Sequence, residues 1–290
     1  TVEANRKLVR LIWVYKVKRS GALKARLCVQ GCAQVPGVDF HQTFCATLRG
    51  TSLRLLCSLA ARHGLSMRRW DFVSAYLQGE LLENEVVYCQ MPPGYETVGS
   101  DGRQKVCRIE KPVYGMAQAG RRWQRTIFPW LTSPKVGFTQ CASDTCVFHQ
   151  TRTVSTPNGP RVERLIIGCY VDDLFVLSTH DDEHSLYHSF TTSLQEEWEV
   201  EDEGPVSDLL NIEITREGDY ITLRQTAYIL KLVETYCPDG IPTTVQSTST
   251  PCESELPYLV LDAVCCLDPP DPTLLREYQG IVGALLYCST

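Results

Sequence analysis

Residues 165–178 read LIIGCYVDDLFVLS, an apolar run typical of a buried strand that is interrupted by two adjacent carboxylates, Asp172 and Asp173. Burying one unpaired charge is unfavourable by several kcal/mol, and burying two side by side is worse. The run predicts two antiparallel strands, 165–171 and 174–178, with both aspartates in the two-residue turn between them. Such a turn would bring the two carboxylates to one point beyond the tip of the hairpin.

Two explanations fit this pair of carboxylates. Asp-Asp is an ordinary turn sequence, because Asp tolerates turn dihedrals. Alternatively, the carboxylates bind Mg²⁺, which prefers oxygen ligands, and two such ions can stabilise the attacking and leaving oxygens of a phosphoryl displacement. A third carboxylate is normally needed to bridge two ions. Asp71, at the end of the strand-like stretch 65–71, is the candidate for that role.

Charge is distributed unevenly along the chain. The 28 Lys and Arg and 34 Asp and Glu give a net charge of −6, yet residues 1–70 carry 13 basic and only 2 acidic side chains. Residues 172–290 carry 4 basic and 23 acidic side chains. The basic first quarter could bind a polyanion, although ordinary surface Lys and Arg would give the same count.

Composition bounds the class of protein. A chain of 290 residues with 43% hydrophobic side chains predicts a globular protein of one large or two or three closely packed subdomains. The 14 cysteines are scattered along the chain, with one adjacent pair at Cys265 and Cys266, and lack the double CxxC spacing of a zinc site, which favours reduced, mostly buried thiols. With no signal peptide and no spanning segment in the sequence, we expect a soluble intracellular protein.

Apolar periodicity predicts the main elements. Residues 11–29 alternate apolar and basic side chains around Ser20-Gly21, which predicts a hairpin that projects Lys16, Lys18, Lys24 and Arg26. Helices are predicted over 51–64, from Gly115 at least to Pro129, and over 183–200. Segments 91–105 and 151–163 are expected to be connecting loops, the second joining two strands at Asn158-Gly159. A hairpin about Glu217-Gly218 is predicted to precede another helix. Residues 238–272 are predicted to be a linker. A last helix is expected to begin near 273 and to continue into a larger polypeptide.

YVDD (170–173) belongs to a series of blocks whose order matches one family. The others are WVYKVKRSGALKARLCVQGCAQVPGVDFHQTF (13–44), TSLRLLCSLAARHGLSMRRWDFVSAYLQGEL (51–81), VYCQMPPGYE (87–96), VYGMAQAGRRW (113–123) and ALLY (284–287). Together these blocks resemble the reverse transcriptase of copia-type (Pseudoviridae) long-terminal-repeat retrotransposons along nearly the whole chain. YVDD alone would be weak evidence.

The resemblance implies an α+β right-hand polymerase, with fingers, a ferredoxin-like antiparallel palm that carries helices on one face, and a partial thumb. The implied layout is fingers at 1–66, the first catalytic palm strand at 67–79, fingers and loop at 80–112, palm with the YVDD hairpin at 113–205, primer grip and thumb start at 206–237, linker at 238–272, and the start of a truncated C-terminal helix at 273–290. The first thumb helix would be 221–236.

Site residues follow from the matching motifs. Asp71, Asp172 and Asp173 would be the catalytic ligands of two Mg²⁺ ions, with Mn²⁺ as a substitute. Lys24 and Arg26 would hold the triphosphate, Tyr76 would exclude a ribose 2′-hydroxyl unless it is simply a core tyrosine, and Gln118 would contact the nucleotide. The implied primer grip is Leu210, Asn211, Ile212 and Glu213.

The implied activity is RNA-directed DNA polymerisation, in which a primer 3′-hydroxyl attacks the α-phosphate of a deoxynucleotide. Implied partners are a primed RNA or DNA template, deoxynucleoside triphosphates, and the RNase H and integrase segments of the same polyprotein, with no membrane. The implied location is intracellular, cytoplasmic in virus-like particles or nuclear.

Departures from the family pattern, which also include CVQG (28–31) and TFCAT (43–47), leave alternatives open. Ala117 stands where the family has Lys, Gly120 where it has Pro, and Asn211 where it has Gly, although Asn tolerates left-handed dihedrals. One alternative is a catalytically decayed remnant that only binds nucleic acid. A more distant one is a palm-fold nucleotidyl cyclase, which would use the same metals without a basic template channel.

Overall fold

The computed structural model describes residues 7–17, 21–157, 159–240 and 271–289. Its strands are β1 (Leu11–Val17), β2 (Leu23–Val29), β3 (Ser66–Phe72), β4 (Val87–Gln90), β5 (Val106–Ile109), β6 (Thr139–Gln140), β7 (Val147–Thr156), β8 (Gly159–Tyr170), β9 (Asp173–Ser178), β10 (Val200–Pro205), β11 (Asp208–Leu209), β12 (Ile212–Glu217) and β13 (Tyr220–Arg224). Its helices are α1 (Gly50–His63), α2 (Ala75–Gln78), α3 (Ala119–Leu131), α4 (Leu186–Glu197), α5 (Thr226–Tyr236) and α6 (Pro272–Cys288). The chain forms two units, Thr1–Val206 and Ser207–Thr290.

A six-stranded sheet organises the first unit. Its strand order is β10-β3-β9-β8-β7-β6, and every neighbouring pair is antiparallel. Leu165, Ile167, Leu174 and Phe175 of the two central strands are fully buried. Because both faces of β8 and β9 are covered, their sequence is a continuous apolar run instead of an alternating one.

Helices cover both faces of this sheet. On one face, α3 and α4 each place apolar side chains at intervals of four residues: Trp123, Ile127 and Leu131, and Leu186, Phe190 and Leu194. On the other face, Gly168 lies beneath Leu48 and Leu56, whose methyl carbons would be 3.0 and 3.2 Å from a Cβ at that position. The sheet therefore carries α3 and α4 on one face and α1, which lies within the range 1–66 expected to form the fingers, on the other.

Most predicted elements are confirmed, with differences at their ends. The hairpin over 11–29 and the helix over 51–64 are present, and Gly64 ends the helix with φ of 62°. Residues 151–163 join two strands as predicted, but β7 and β8 extend through most of the segment. Residues 221–224 are strand, so the helix predicted over 221–236 starts only at Thr226.

The second unit contains a three-stranded sheet, β11-β12-β13, with helices α5 and α6. Leu210 and Asn211 connect β11 to β12 with φ of 54° and 57°, and positive φ at both central residues is typical of type I′ hairpin turns. Asn211 therefore adopts the left-handed dihedral that Asn was expected to tolerate at this position. The predicted linker falls almost entirely on residues 241–270, outside the described residues. Among those described, no helix is long and apolar enough to cross a membrane.

Two glycines hold the basic hairpin against the segment before α3. The Val29 N–H donates to the Tyr114 carbonyl at 2.8 Å. A Cβ at Gly31 would lie 2.0 Å from the Gly115 carbonyl oxygen, and one at Gly115 would lie 2.1 Å from the Val29 oxygen. Only glycine allows these backbones to approach so closely.

We expect Gly31→Ala to reduce the free energy of unfolding by about 3 kcal/mol, because the new methyl group meets backbone that cannot rotate away. Gly50→Ala is the matched control, since nothing lies within 4 Å of a Cβ there. Urea titration of both variants measures the difference. Equal midpoints for the two variants would contradict this account of the packing.

Candidate functional site

The sheet brings the three predicted aspartates together. Asp71 of β3 is paired directly with Asp173, the first residue of β9. The Phe72 N–H donates to the Asp172 carbonyl at 2.9 Å, so Asp172 also lies beside the end of β3. Antiparallel pairing thus joins residues that are a hundred positions apart in sequence.

The turn differs from the prediction by one residue. β8 ends at Tyr170, which pairs with Asp173, so the turn consists of Val171 and Asp172 and not of the two aspartates. Val171 has φ of 56°, which is an outlier for a β-branched residue. The turn therefore separates the aspartates structurally: Asp172 lies at the tip, whereas Asp173 belongs to the strand.

Trp123 of α3 holds this strained turn. Its Nε1–H donates to the Val171 carbonyl at 2.6 Å. The ring is 1% exposed and makes edge contacts with Phe72 and Trp198 at centroid distances of 4.7 and 5.4 Å. Sequence reasoning placed Trp123 in a motif but did not assign it this role. A strained turn persists only where surrounding contacts hold it in place, and the hydrogen bond from Trp123 is such a contact.

A cavity of about 490 Å³ opens in front of Asp71 and Asp172. Lys24 and Arg26 of β2 line it from the basic hairpin. The other lining residues include Tyr114 and Glu201, neither of which the sequence identified. The Arg26 guanidinium lies 4.9 Å from the centroid of the Tyr114 ring, a cation–π distance that fixes the arginine at the cavity. Carboxylates and cations therefore line one cavity.

Asp71 is electrostatically unfavourable in its charged form. Burial raises the pKa of Asp71 to about 6, repulsion from Asp172 and Asp173 adds to the effect, and Arg69 partly opposes it. Burial also raises the pKa of Asp173, again opposed by Arg69. A cation placed among these carboxylates would relieve both desolvation and repulsion.

Hard oxygen donors of this kind suit Mg²⁺ or Mn²⁺. Asp71 and Asp172 are open to the cavity, but the Asp173 Oδ1 accepts from Arg69 Nε at 2.9 Å and Nη2 at 2.8 Å. In the part of the chain that the structure describes, no group of three His, Cys, Asp or Glu side chains could hold a metal as it stands. Asp71 and Asp172 thus fit a divalent cation, whereas Asp173 is occupied by an arginine.

Tyr76 and Gln118 do not line the cavity. The Tyr76 ring contacts Tyr114 at a centroid distance of 4.7 Å, and burial, with a contribution from Asp172, raises the pKa of Tyr76 to about 12. Gln118 is fully buried; it accepts from Gln34 and donates to the Asp39 carbonyl, both at 3.1 Å. In this structure, Gln118 joins the loops that carry Gln34 and Asp39. The predicted primer-grip residues lie in the second unit.

Comparison with known proteins gives consistent matches. Residues 1–251 match the family model described as Reverse transcriptase (RNA-dependent DNA polymerase). The chain is 33% identical over 281 residues to the retrovirus-related Pol polyprotein from transposon RE2 of Arabidopsis thaliana, covering 96% of the chain and 17% of that protein. The polyprotein from Arabidopsis transposon RE1 is 30% identical over 96% of the chain and 17% of its own length. That from transposon TNT 1-94 of Nicotiana tabacum is 28% identical over 95% of the chain and 20% of its own length. The chain therefore spans a fifth or less of each of these relatives.

Trp123→Phe should destabilise the protein by about 1 kcal/mol more than Trp198→Phe does, because it leaves the Val171 carbonyl without its donor. Trp198 is a matched control: it belongs to the same aromatic cluster, and its buried Nε1 has no hydrogen-bond partner among the described residues. Chemical denaturation compares the two variants. Similar losses would show that ring packing alone, and not the hydrogen bond, supports the turn.

Stability should depend on pH through Asp71. Because the pKa in the folded protein, about 6, exceeds the ordinary value of 3.8, the stability present at low pH is lost as pH rises through 6. In EDTA, Asp71→Asn should therefore become more stable than the parent protein between pH 4 and 7, by about 1–2 kcal/mol after solvent screening. Asp219→Asn, in an exposed turn, is the control for charge. Thermal melts across this range provide the measurement, and a pH-independent difference would contradict it.

Proposed function

The chain belongs to the reverse transcriptase family of copia-type retrotransposons, and from this membership we propose that it catalyses RNA-directed DNA synthesis at the cavity in front of Asp71 and Asp172. One observation carries the proposal: Asp71 of β3 and Asp172 of the YVDD turn line the same cavity as Lys24 and Arg26. A nucleoside triphosphate needs both kinds of group, cations for its phosphates and carboxylates for the metal that accompanies them.

Each wall of the cavity has a distinct part in the proposed reaction. Lys24 and Arg26 bind the triphosphate, and the Tyr114 ring keeps the Arg26 guanidinium directed toward it. Asp71 and Asp172 would hold two Mg²⁺ ions, or Mn²⁺ in their place, with Asp173 as the third ligand. Such ions, when bound, polarise the attacking 3′-hydroxyl and stabilise the pyrophosphate leaving group.

Tyr76 is proposed to limit the space available to a ribose 2′-hydroxyl. Its support is indirect: the ring contacts Tyr114, which lines the cavity, and both rings lie close to Asp172. Gln118 is proposed to act on the nucleotide only through the loop that it anchors to Gln34 and Asp39. Leu210, Asn211, Ile212 and Glu213, which include a hairpin turn, are proposed to hold the primer end.

The finer architecture is likewise a proposal. We assign fingers, palm and thumb to the ranges that the family resemblance implies, with the six-stranded sheet as the ferredoxin-like palm.

Proposed partners are a primed RNA or DNA template, deoxynucleoside triphosphates, and the RNase H and integrase segments of one polyprotein. The proposed location is intracellular, in a cytoplasmic virus-like particle or in the nucleus. Two family departures lie close to Tyr76 and Gln34, which are outside the cavity lining: a Cβ at Gly120 would lie 3.9 Å from the Tyr76 hydroxyl, and the Ala117 N–H donates to Gln34 Oε1 at 2.8 Å.

Primer extension on an RNA template with Mg²⁺ tests the activity. We expect the protein to incorporate deoxynucleotides, and Asp172→Asn to reduce the rate by at least about a hundredfold, because it removes a charged metal ligand. Asp181→Asn, an exposed acid on the segment after β9, makes the same change in charge and should retain the parent rate.

Incorporation no higher than that of Asp172→Asn would contradict the proposed activity. If salt-sensitive binding to a primer–template duplex persisted in that case, the remnant that only binds nucleic acid would be the correct alternative. Cyclic nucleotide formation without template dependence would instead support the nucleotidyl cyclase.

A further inference from the structure

Arg69 occupies a carboxylate that the proposed metal site needs. We propose that Arg69 is a built-in counter-ion that competes with the divalent cation for Asp173, and that Glu203 is the carboxylate to which Arg69 transfers when the cation binds. This inference rests on the proposed function, because it requires a metal at Asp71, Asp172 and Asp173. It concerns how the chain's own charges control the affinity for that metal.

The sheet places Arg69 on the face that carries the carboxylates. Arg69 and Asp71 are two residues apart on β3, so their side chains project from the same face, and Asp173 is directly opposite Asp71. Two guanidinium nitrogens of Arg69 donate to one oxygen of Asp173, at 2.9 and 2.8 Å. The Arg69 guanidinium thus neutralises part of the negative charge of Asp71, Asp172 and Asp173.

A β-bulge brings the second acceptor to Arg69. The register between β10 and β3 shifts between Asp202 and Gly204, which leaves Glu203 as the extra residue. Its Oε2 lies 3.1 Å from Arg69 Nε. Bulges re-aim side chains and are frequent beside active sites. Arg69 therefore contacts one carboxylate inside the proposed metal set and one outside it.

The exposure of the two carboxylates determines which of them Arg69 prefers. The Asp173 side chain is 16% exposed and that of Glu203 is 40% exposed, so the ion pair with Asp173 is less screened by water. Without metal, Arg69 favours Asp173. A cation of charge +2 competes better for the same carboxylate and repels the guanidinium. Glu203 then stabilises the displaced arginine, which makes metal binding more favourable than it would be otherwise.

The neighbouring arginine provides a matched control. Arg68 is also on β3, but it projects from the opposite face and pairs with Asp202 at 2.5 Å. Arg68→Gln removes one positive charge from the neighbouring position on β3. It leaves the contacts of Asp71, Asp172 and Asp173 unchanged. Any effect specific to competition for Asp173 should be absent from it.

The test measures Mn²⁺ binding by electron paramagnetic resonance of free Mn²⁺, without nucleotide or nucleic acid. We expect Arg69→Gln to bind Mn²⁺ about three- to tenfold more tightly than the parent protein, and Arg68→Gln to remain within about twofold. Arg69→Lys keeps the charge and should return the affinity toward the parent value. Glu203→Gln should weaken binding in the parent, and should weaken it less when Arg69 is already Gln.

Each outcome discriminates. Equal or weaker Mn²⁺ binding by Arg69→Gln would overturn the competition, since it would make Arg69 a residue that only positions Asp173. Equal effects of Glu203→Gln in both backgrounds would overturn the transfer to Glu203. Mn²⁺ binding that survives Asp172→Asn unchanged would overturn the metal site itself, and with it this inference. Loss of binding in Asp172→Asn, together with an unchanged Arg69→Gln, would overturn this inference alone.

Discussion

The pairing of Asp71 with Asp173 across adjacent antiparallel strands is the constraint on which the rest of the site depends. Like charges directly opposite each other destabilise a sheet, and here burial adds to their repulsion. The surrounding structure must therefore hold the strands in register against that repulsion. Buried residues of β3, β8 and β9 pack together with α3 and α4 in one continuous core, and Trp123 of α3 donates directly to the strained turn. The apolar run around YVDD is rigid because both of its faces are packed.

A second constraint brings opposite charge to the same place. Gly31 and Gly115 permit a backbone approach that any Cβ would block, and this contact fixes β2 beside Tyr114. Lys24 and Arg26 thereby reach the cavity that Asp71 and Asp172 line. The uneven charge along the sequence has a local counterpart, because two residues of the basic first quarter line the same cavity as Asp172, which lies far along the chain. Long-range backbone contacts, and not local propensity, create the site.

The sequence predicted elements with strong periodicity and the proximity of the aspartates, since strand ends that carry carboxylates limit where those groups can lie. It misplaced the turn by one residue, because nothing in the residue types indicates that Val171 adopts a left-handed dihedral. Gln118 was assigned by its motif, and only the folded structure shows that Gln34 and Asp39 use both of its polar ends. The role of Glu203 depends on a bulge, and a one-residue change of register cannot be inferred from alternation alone.

In the proposed function, the protein folds with its carboxylates already assembled, before it binds the cation that would neutralise them. A cluster without any resident positive charge would oppose folding through repulsion among Asp71, Asp173 and Glu203. A counter-ion that bound too strongly would exclude the metal. Arg69 satisfies both requirements, because it is a single charge shared between a drier and a wetter carboxylate. The proposed competition therefore balances the stability of the sheet against its affinity for the cation, and the β-bulge at Glu203 supplies the second acceptor.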